Sequence, residues 1–588
     1  MQIVVQSAKA PPVTNLVTPA GYDTFTVNQQ LPKFQNEQSC PNPVQVLAVG
    51  KGLNDSHSGM MRRASGLFYT PDQIGKYLAK RVFDAITGID GSLHICDPFA
   101  GDGRLIEWLL LEGRRRGLNR SWRVSLWDIH EEGIIKALER LEEIKLAGID
   151  LVVETWVGDS FERLGRGEEM FDVVLTNPPW ENLKPDSREL ALLPDNLRHA
   201  YVESIRATAL QLESFFPNSR ARKKYGGWGT NLSRVGTEAA QRSVRDNGVL
   251  GIVLPLSFLA DQTSGELRRW LLSEVAVFDV GCFPAEARPF KEADVGACTL
   301  VTQKIRPKTI CPQVTFFEKD YSIQSSGKFF TTLEELQSCN HILPFGFGMT
   351  AAKLSTDFKH LPTFRDLEND PEWGLWAGRE IDETRIANHL TDGPGPLFVK
   401  GRMIGRYETV EMPTQRVQKD GWTIPPSVGY ERIVWRDVSR TNQKRRIIAT
   451  RIPSGFVAGN SLGVAYLKGN DPQKLLIFLG LMSSLPFEIQ LRSQLATGHV
   501  SLASLRHVRI PSVLPSTKLG KALSDAVSER LSGGASTEHQ IEALAMLAYN
   551  LAKDEAEVVV SAFPKLDSNE REAILEAYCQ LKEIYASS

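Results

Sequence analysis

Short apolar runs separated by stretches of helical periodicity dominate the chain from about residue 62 to 310. The runs lie at 93–96, 123–127, 151–154, 171–176, 249–254, 275–280 and 298–302, each of a length that suits a buried strand. A helix is predicted over 72–86, where Thr70 can cap it and Pro71 suits its first turn. Strand–helix alternation of this kind predicts an α/β fold built on a doubly wound sheet. Ahead of it, residues 1–61 are rich in Pro, Gln, Asn and Ser with little periodicity, and an irregular arm is expected there. Residues 311–395 carry few signals and read as a connector. From 396 to 515 the pattern is β-rich and loop-punctuated, with one helix expected over 475–485. From 516 to 588 it is helical, as in Ile541-Glu542-Ala543-Leu544-Ala545-Met546-Leu547-Ala548.

Composition narrows this picture. At 588 residues the chain exceeds one core, so two or three domains are expected. A net charge of −2 gives no global signature of polyanion binding, yet between Lys400 and Arg451 twelve Lys/Arg stand against five Asp/Glu. The seven cysteines are scattered with no C-x-x-C pair, which argues against a zinc site or a disulfide framework and fits a reducing compartment. No metal is expected. The longest apolar stretches, 248–260 and 475–487, fall short of the roughly 20 residues that span a bilayer, and the N-terminus lacks a signal pattern. A cytoplasmic chain without a membrane partner is the resulting expectation.

Chemistry is concentrated at strand ends. The first apolar run closes on Asp97-Pro98-Phe99-Ala100-Gly101-Asp102-Gly103, an acid followed by a Gly-rich turn. In doubly wound sheets ligands bind beyond the carboxyl ends of the strands. Asp97 can hold a cationic amine there, while Gly101 and Gly103 leave room for a nucleoside beside Phe99 and Ala100. The second run ends in Asp128, placed for ribose hydroxyls. The third ends in Asp159-Ser160-Phe161, an acceptor for an adenine amine followed by a ring that can stack. Taken singly, such an Asp is as often a turn former or helix cap. Upstream, Phe68, Tyr69 and Thr70 can wall the methionine end of a cofactor, or simply pack on a capped helix. The fourth run ends in Asn177-Pro178-Pro179-Trp180. If the Asn177 side-chain oxygen and the Pro178 carbonyl accept the two hydrogens of an exocyclic amine, its nitrogen is drawn towards sp3 geometry and its lone pair is freed to attack; Trp180 can stack on the ring. Together these residues suggest an amino-methyltransferase using S-adenosylmethionine. The Asn-Pro-Pro-Trp segment alone leaves adenine, cytosine and protein amides open as acceptors.

The order of Phe68-Tyr69-Thr70-Pro71, Asp97 to Gly103, Asn177 to Trp180 and Gly248-Val249-Leu250-Gly251-Ile252-Val253-Leu254-Pro255 resembles the γ-class N6-adenine DNA methyltransferases of type II, IIG and type I restriction-modification systems. The resemblance covers about 62–310. It extends more weakly over 396–588 through Val434-Trp435-Arg436-Asp437-Val438-Ser439-Arg440, Asn460-Ser461-Leu462 and Val508-Arg509-Ile510-Pro511. It implies a Rossmann-like methyltransferase sheet at 62–310, a mixed α/β target-recognition domain at 396–515 and a helical tail at 516–588. It further implies that Asn177, Pro178 and Trp180 hold a flipped adenine of duplex DNA and that Asp97, Gly101, Asp128 and Asp159 bind the cofactor. The 60-odd residues before the sheet hold no Pro-Asp…Asp/Glu-x-Lys arrangement, so a modification enzyme without its own nuclease is expected, with a separate restriction endonuclease as a candidate partner. Arg402, Arg406, Arg436, Arg440, Lys444, Arg445 and Arg446 are the candidate DNA contacts, each also readable as a solvated surface charge. Protein-glutamine and RNA methyltransferases, or a non-catalytic DNA-binding subunit, are the alternatives.

Overall fold

A computed structural model describes residues 5–7, 69–86, 91–117, 121–167, 169–221, 227–290, 295–337, 339–418, 423–440, 443–495, 498–534 and 537–586. The chain divides into two compact units, Met1–Leu254 and Pro255–Ser588.

In the first unit, β1 (Val5–Ser7), α1 (Asp72–Ile86), β2 (Leu93–Asp97), α2 (Arg104–Arg115), β3 (Trp122–Asp128), α3 (Glu131–Leu146), β4 (Leu151–Val157), α4 (Ser160–Gly165), β5 (Phe171–Thr176), α5 (Ser187–Leu192), α6 (Asp195–Phe215), α7 (Leu232–Arg242) and β6 (Val244–Pro255) follow in order. All the strand pairings here are parallel, in the order β1-β4-β3-β2-β5-β6. The chain winds outward from β2 through β3 to β4, then returns to place β5 on the other side of β2. The order therefore reverses between β2 and β5, the crevice where such sheets take ligands. The strands read as near-continuous apolar runs because helices cover parallel sheets, and Ile95, Cys96, Val173, Val174 and Leu175 are fully buried. On α1, Ile74, Leu78, Val82 and Ile86 repeat at helical spacing and are wholly buried. Val5–Ser7, within the segment expected to be irregular, pairs with β4; the rest of that arm lies outside the described residues.

The second unit opens with α8 (Gly265–Glu274), β7 (Ala276–Phe283), β8 (Ala297–Gln303), β9 (Gln313–Phe317) and β10 (Ile323–Lys328), whose strands lie in the order β8-β7-β9-β10 with β7 and β9 parallel. Next come α9 (Leu333–Gln337), α10 (Gly348–Asp357), α11 (Phe364–Asn369), β11 (Leu375–Gly378), α12 (Glu383–Ile386), β12 (Leu390–Thr391), β13 (Leu397–Val399), β14 (Arg416–Val417), β15 (Arg432–Arg436), β16 (Ala449–Ile452), β17 (Phe456–Ala458) and β18 (Leu462–Leu467). These strands form two four-stranded sheets, β11-β18-β15-β16 and β12-β14-β13-β17. The stretch read as a connector is thus rich in short elements, too brief for periodicity to reveal.

The tail comprises α13 (Pro472–Met482), α14 (Leu485–Gln494), α15 (Leu502–Leu505), α16 (Lys518–Leu531), α17 (Thr537–Ala548), α18 (Lys553–Ser561) and α19 (Ser568–Ala586). The single helix expected over 475–485 is two, bent by 57° at Ser483-Ser484. The apolar run continued across that break because both helices are core. Among the described residues no single helix is long and apolar enough to cross a membrane.

Candidate active site

The carboxyl ends of β2 and β5 form the floor of the site. Register pairs Cys96 with Val174, so Asp97 and Thr176 end neighbouring strands. Asp97 is 1% exposed. Its Oδ1 accepts from the Phe99 amide at 3.1 Å, while its buried Oδ2 meets no donor in good hydrogen-bond geometry among the described residues, although the Thr176 hydroxyl is close enough to favour the charged form. Burial pushes its carboxyl up to about 7, against the opposing pull of the Thr176 hydroxyl and the Phe99 amide. Leaving a buried acceptor unsatisfied is costly, and a ligand cation there would remove the cost.

The turn after Asp97 is built for close approach. Gly101 and Gly103 have φ of 54° and 74°, a conformation that favours glycine. Asp128, at the end of β3, accepts from the Gly101 amide through Oδ2 and from the His130 amide through Oδ1, both at 2.8 Å. The Ala100 amide donates to the Trp127 carbonyl at 2.9 Å. Asp128 therefore ties the Gly101 turn to the end of β3 through Oδ2, while Oδ1 shapes its own exit towards α3, tasks additional to the ribose contact expected of it.

Asp159 is the N-cap of α4, accepting from the Phe161 amide at 2.9 Å and the Glu162 amide at 3.4 Å. Both the capping and the binding readings remain compatible with a carboxylate whose proton affinity burial raises. Ser160 is buried, with its Oγ unpartnered among the described residues. Phe161 packs against Phe99 with ring centroids 4.9 Å apart. Phe68 lies outside the described residues. Tyr69 stands over the turn: a Cβ on Gly101 would come within 3.3 Å of its ring, and the Arg104 guanidinium lies 4.9 Å from its centroid. Arg104 in turn donates to the Thr70 carbonyl at 3.1 Å and pairs with Asp102 at 2.7 Å.

Asn177 Nδ2 donates to Thr70 Oγ1 at 3.1 Å, so two residues 107 positions apart in sequence set each other's orientation. Pro178 is buried against α7, where a Cβ on Gly236 would lie 2.4 Å from the proline ring. Only glycine allows that approach. Beyond Pro179, the Trp180 carbonyl accepts from Asn231 Nδ2 at 3.1 Å, and Leu232 and Leu183 amides close a short antiparallel pairing between 181–183 and 230–232. The Asn177-Pro178-Pro179-Trp180 segment is thus clamped at both ends.

Asn231 and Gly236 hold this clamp, and sequence reading passed over both because neither touches the motif in sequence. Glu181 was also missed. Its Oε1 is buried without a partner among the described residues, and burial alone pushes its carboxyl up to about 7.

The candidate DNA contacts separate into two groups. Arg402 and Arg440 are exposed, Arg402 pairing with Glu411 at 3.1 Å. Lys444 is exposed and pairs with Glu570 at 2.5 Å, and Arg436 is partly buried with its guanidinium on the Ile404 carbonyl. Arg406, Arg445 and Arg446 correct the expectation. Arg406 binds Glu538, Glu542 and the Ser483 carbonyl; Arg445 binds Glu488, Glu542 and the same carbonyl; Arg446 is buried with Nη2 on the Ser439 carbonyl. A cation already satisfied inside the protein is unavailable to a phosphate. Beyond α6, Arg220 lies 3.4 Å from Glu213.

The reversed parallel sheet, the acid-and-glycine turn after its first central strand and the polar segment on the neighbouring strand end define a Rossmann-like α/β methyltransferase fold with a mixed α/β and helical C-terminal half. The residues at the site fit S-adenosylmethionine: the orphaned Asp97 oxygen suits its amine, the Gly101–Gly103 turn its nucleoside, and Phe161 its ring.

The chain is 26% identical over 272 residues to Type II methyltransferase M.VspI of Vibrio sp. (strain 343), a match covering 44% of this chain and 55% of that protein. It spans about half the length of that curated relative. Similar solved structures include the type IIG restriction endonuclease BpuSI (14% identity, 88% of this chain and 66% of that one, TM-score 0.41). The methyltransferase subunit of a type I restriction-modification system from Streptococcus thermophilus is another (19% identity, 46% and 56%, TM-score 0.31). No family model matches the chain.

Proposed function

We propose that this chain is a site-specific DNA adenine-N6 methyltransferase using S-adenosylmethionine, the modification component of a restriction-modification or phage-defence system acting beside a separate endonuclease. In this reading residues 62–310 are catalytic, 396–515 recognise the target and 516–588 form a helical support. The observation that carries it is the meeting of two features at the point where the strand order reverses: the buried, unpartnered Asp97 Oδ2 and, on the adjoining strand, Asn177 oriented by Thr70.

S-adenosylmethionine supplies a methyl group made electrophilic by its sulfonium. Asp97 holds the cofactor amine, and the ionised form required for this gains affinity as pH rises through about 7. Asn177 and the Pro178 carbonyl accept the two N6 hydrogens, which localises the nitrogen lone pair for attack. Proline fixes φ, and its ring packs close against Gly236 of α7, so the carbonyl is held in advance of the reaction. Trp180 stacks on the extruded base. Arg402, Arg436, Arg440 and Lys444 are the proposed duplex contacts.

The test is expression in a methylation-free host with long-read mapping of modified bases, beside an Asn177→Ala control. N6-methyladenine at one short motif, absent from the control, is the expected result. Unmodified DNA with the wild-type protein would overturn the reading.

A further inference from the structure

Three strand ends converge at one end of the sheet β11-β18-β15-β16. Because β18 runs antiparallel to both β11 and β15, Gly378, Arg436 and Leu462 share that end, with register pairs Gly378 with Val464 and Arg436 with Leu462. Just beyond them sits Asp437. Its amide donates to the Ser461 carbonyl at 3.0 Å and its carbonyl accepts from the Val500 amide at 2.7 Å, so its backbone is pinned from two directions. Its carboxylate lies 2.8 Å from Arg379 Nη2 through Oδ1 and 3.3 Å from His499 Nδ1 through Oδ2.

The two ends of this pair differ in kind. The Asp437 side chain is 9% exposed and that of Arg379 54% exposed. In an ordinary surface ion pair both partners are mobile and the gain is small. Here a nearly buried acceptor with a pinned backbone anchors one nitrogen of an exposed guanidinium, and the apolar Val438 and the charged Arg440 that follow it in sequence are exposed. A guanidinium carries five donors in a planar fork. Contact with Asp437 engages the Nη2 end and leaves donors for a second, bidentate acceptor. On duplex DNA such acceptors are phosphate oxygens or guanine O6 and N7 in the major groove. The adjacent Asp437 carboxylate repels a phosphate. A neutral base edge, whose O6 and N7 carry only partial negative charge, is repelled less, and the anchor that Asp437 gives one guanidinium nitrogen favours the directional contact that base reading requires.

We propose that Arg379, oriented by Asp437, is a specificity-determining residue that reads a guanine edge in the target duplex; this rests on the DNA-methyltransferase reading above. Neither residue is among the cations that charge density in the sequence selects.

The experiment maps methylation in the methylation-free host for wild type, Arg379→Lys, Arg379→Ala and Asp437→Asn, and measures the salt dependence of duplex binding. The lysine variant keeps the charge and loses the fork, which guards against a loss of folding. The expected result is that Arg379→Lys accepts other bases at one G·C position of the wild-type motif, discrimination there falling roughly ten- to a hundredfold. The salt slope should stay unchanged, and Asp437→Asn should relax the same position more weakly. An unaltered motif in both arginine variants would overturn the proposal. So would a uniform loss of affinity in Arg379→Ala with the salt slope reduced by about one, the mark of a phosphate contact. A wild-type protein that leaves DNA unmethylated removes the underlying reading first, before any variant is compared.

Discussion

Two buried carboxylates, one in each unit, carry opposite proton affinities. Asp97 in the first unit faces no cation among its influences; Asp128 and Asp102 nearby add to the effect of burial, and it protonates at about 7. Glu488 in the second unit is 0% exposed, yet it is held at about 2. Burial would raise it too, but Arg445 at 2.9 Å, Arg492 at 2.8 Å and the Arg446 amide at 2.7 Å outweigh that cost. Glu542 accepts hydrogen bonds from Arg406, Arg445 and the Leu485 amide. A buried charge satisfied from within holds structure together, whereas one left unsatisfied is kept for something that arrives from outside.

Breaking the satisfied network should have the larger effect. Glu488→Ala removes the buried carboxylate shared by Arg445 and Arg492, leaving Arg492 without a carboxylate and Arg445 with Glu542, and is expected to cost about 3–5 kcal/mol of stability, read from denaturant unfolding. A loss under 1 kcal/mol would make the network a bystander. Asp97→Asn should act in the opposite sense: ligand-free stability at neutral pH is kept or improved, while cofactor affinity by calorimetry falls roughly a hundredfold, the loss of a charge-assisted bond. Equal affinity in that variant would remove Asp97 from the cofactor site.

Acid sharpens the contrast. Glu488 has a lowered folded value, so its contribution is present above about 4.5 and lost as pH falls towards about 2. Asp97 has a raised one, so its neutral form favours folding below about 3.8 and that contribution is lost as pH rises through about 7. Between pH 5.5 and 7, then, the ligand-free protein should lose stability as cofactor affinity rises, by up to about tenfold per unit. Asp97→Asn should flatten both trends in thermal-shift and binding titrations. The smallest effect separates the arginines. Arg440→Ala should leave the melting temperature alone and lower the salt slope of DNA binding by about one, while Arg445→Ala should destabilise the fold. The reverse pattern would return Arg445 to the DNA surface.

Much of the first unit was legible in the chain. The apolar runs at 93–96, 123–127, 151–154 and 171–176 are β2 to β5, and the helix at 72–86 is α1, because buried parallel strands and amphipathic helices write their burial directly into residue spacing. Less could be read in the second unit. Strands of two to six residues, such as β12 and β14, are too short to show a period, and the two core helices α13 and α14 merge into one apolar run.

By itself, then, the sequence marked the candidate residues of the proposed cofactor site: strand-end acids, glycines in a turn and an Asn-Pro-Pro-Trp segment announce themselves because backbone conformation and residue type are local properties. Only the tertiary structure decided which charges remain available. Arg406, Arg445 and Arg446 look the same in sequence as Arg402 and Arg440, and Arg379 stands outside the basic run. Whether a guanidinium meets a carboxylate from a helix 132 or 136 residues away, as Arg406 does with Glu538 and Glu542, depends on packing between distant elements. Residue spacing along the chain carries no record of it.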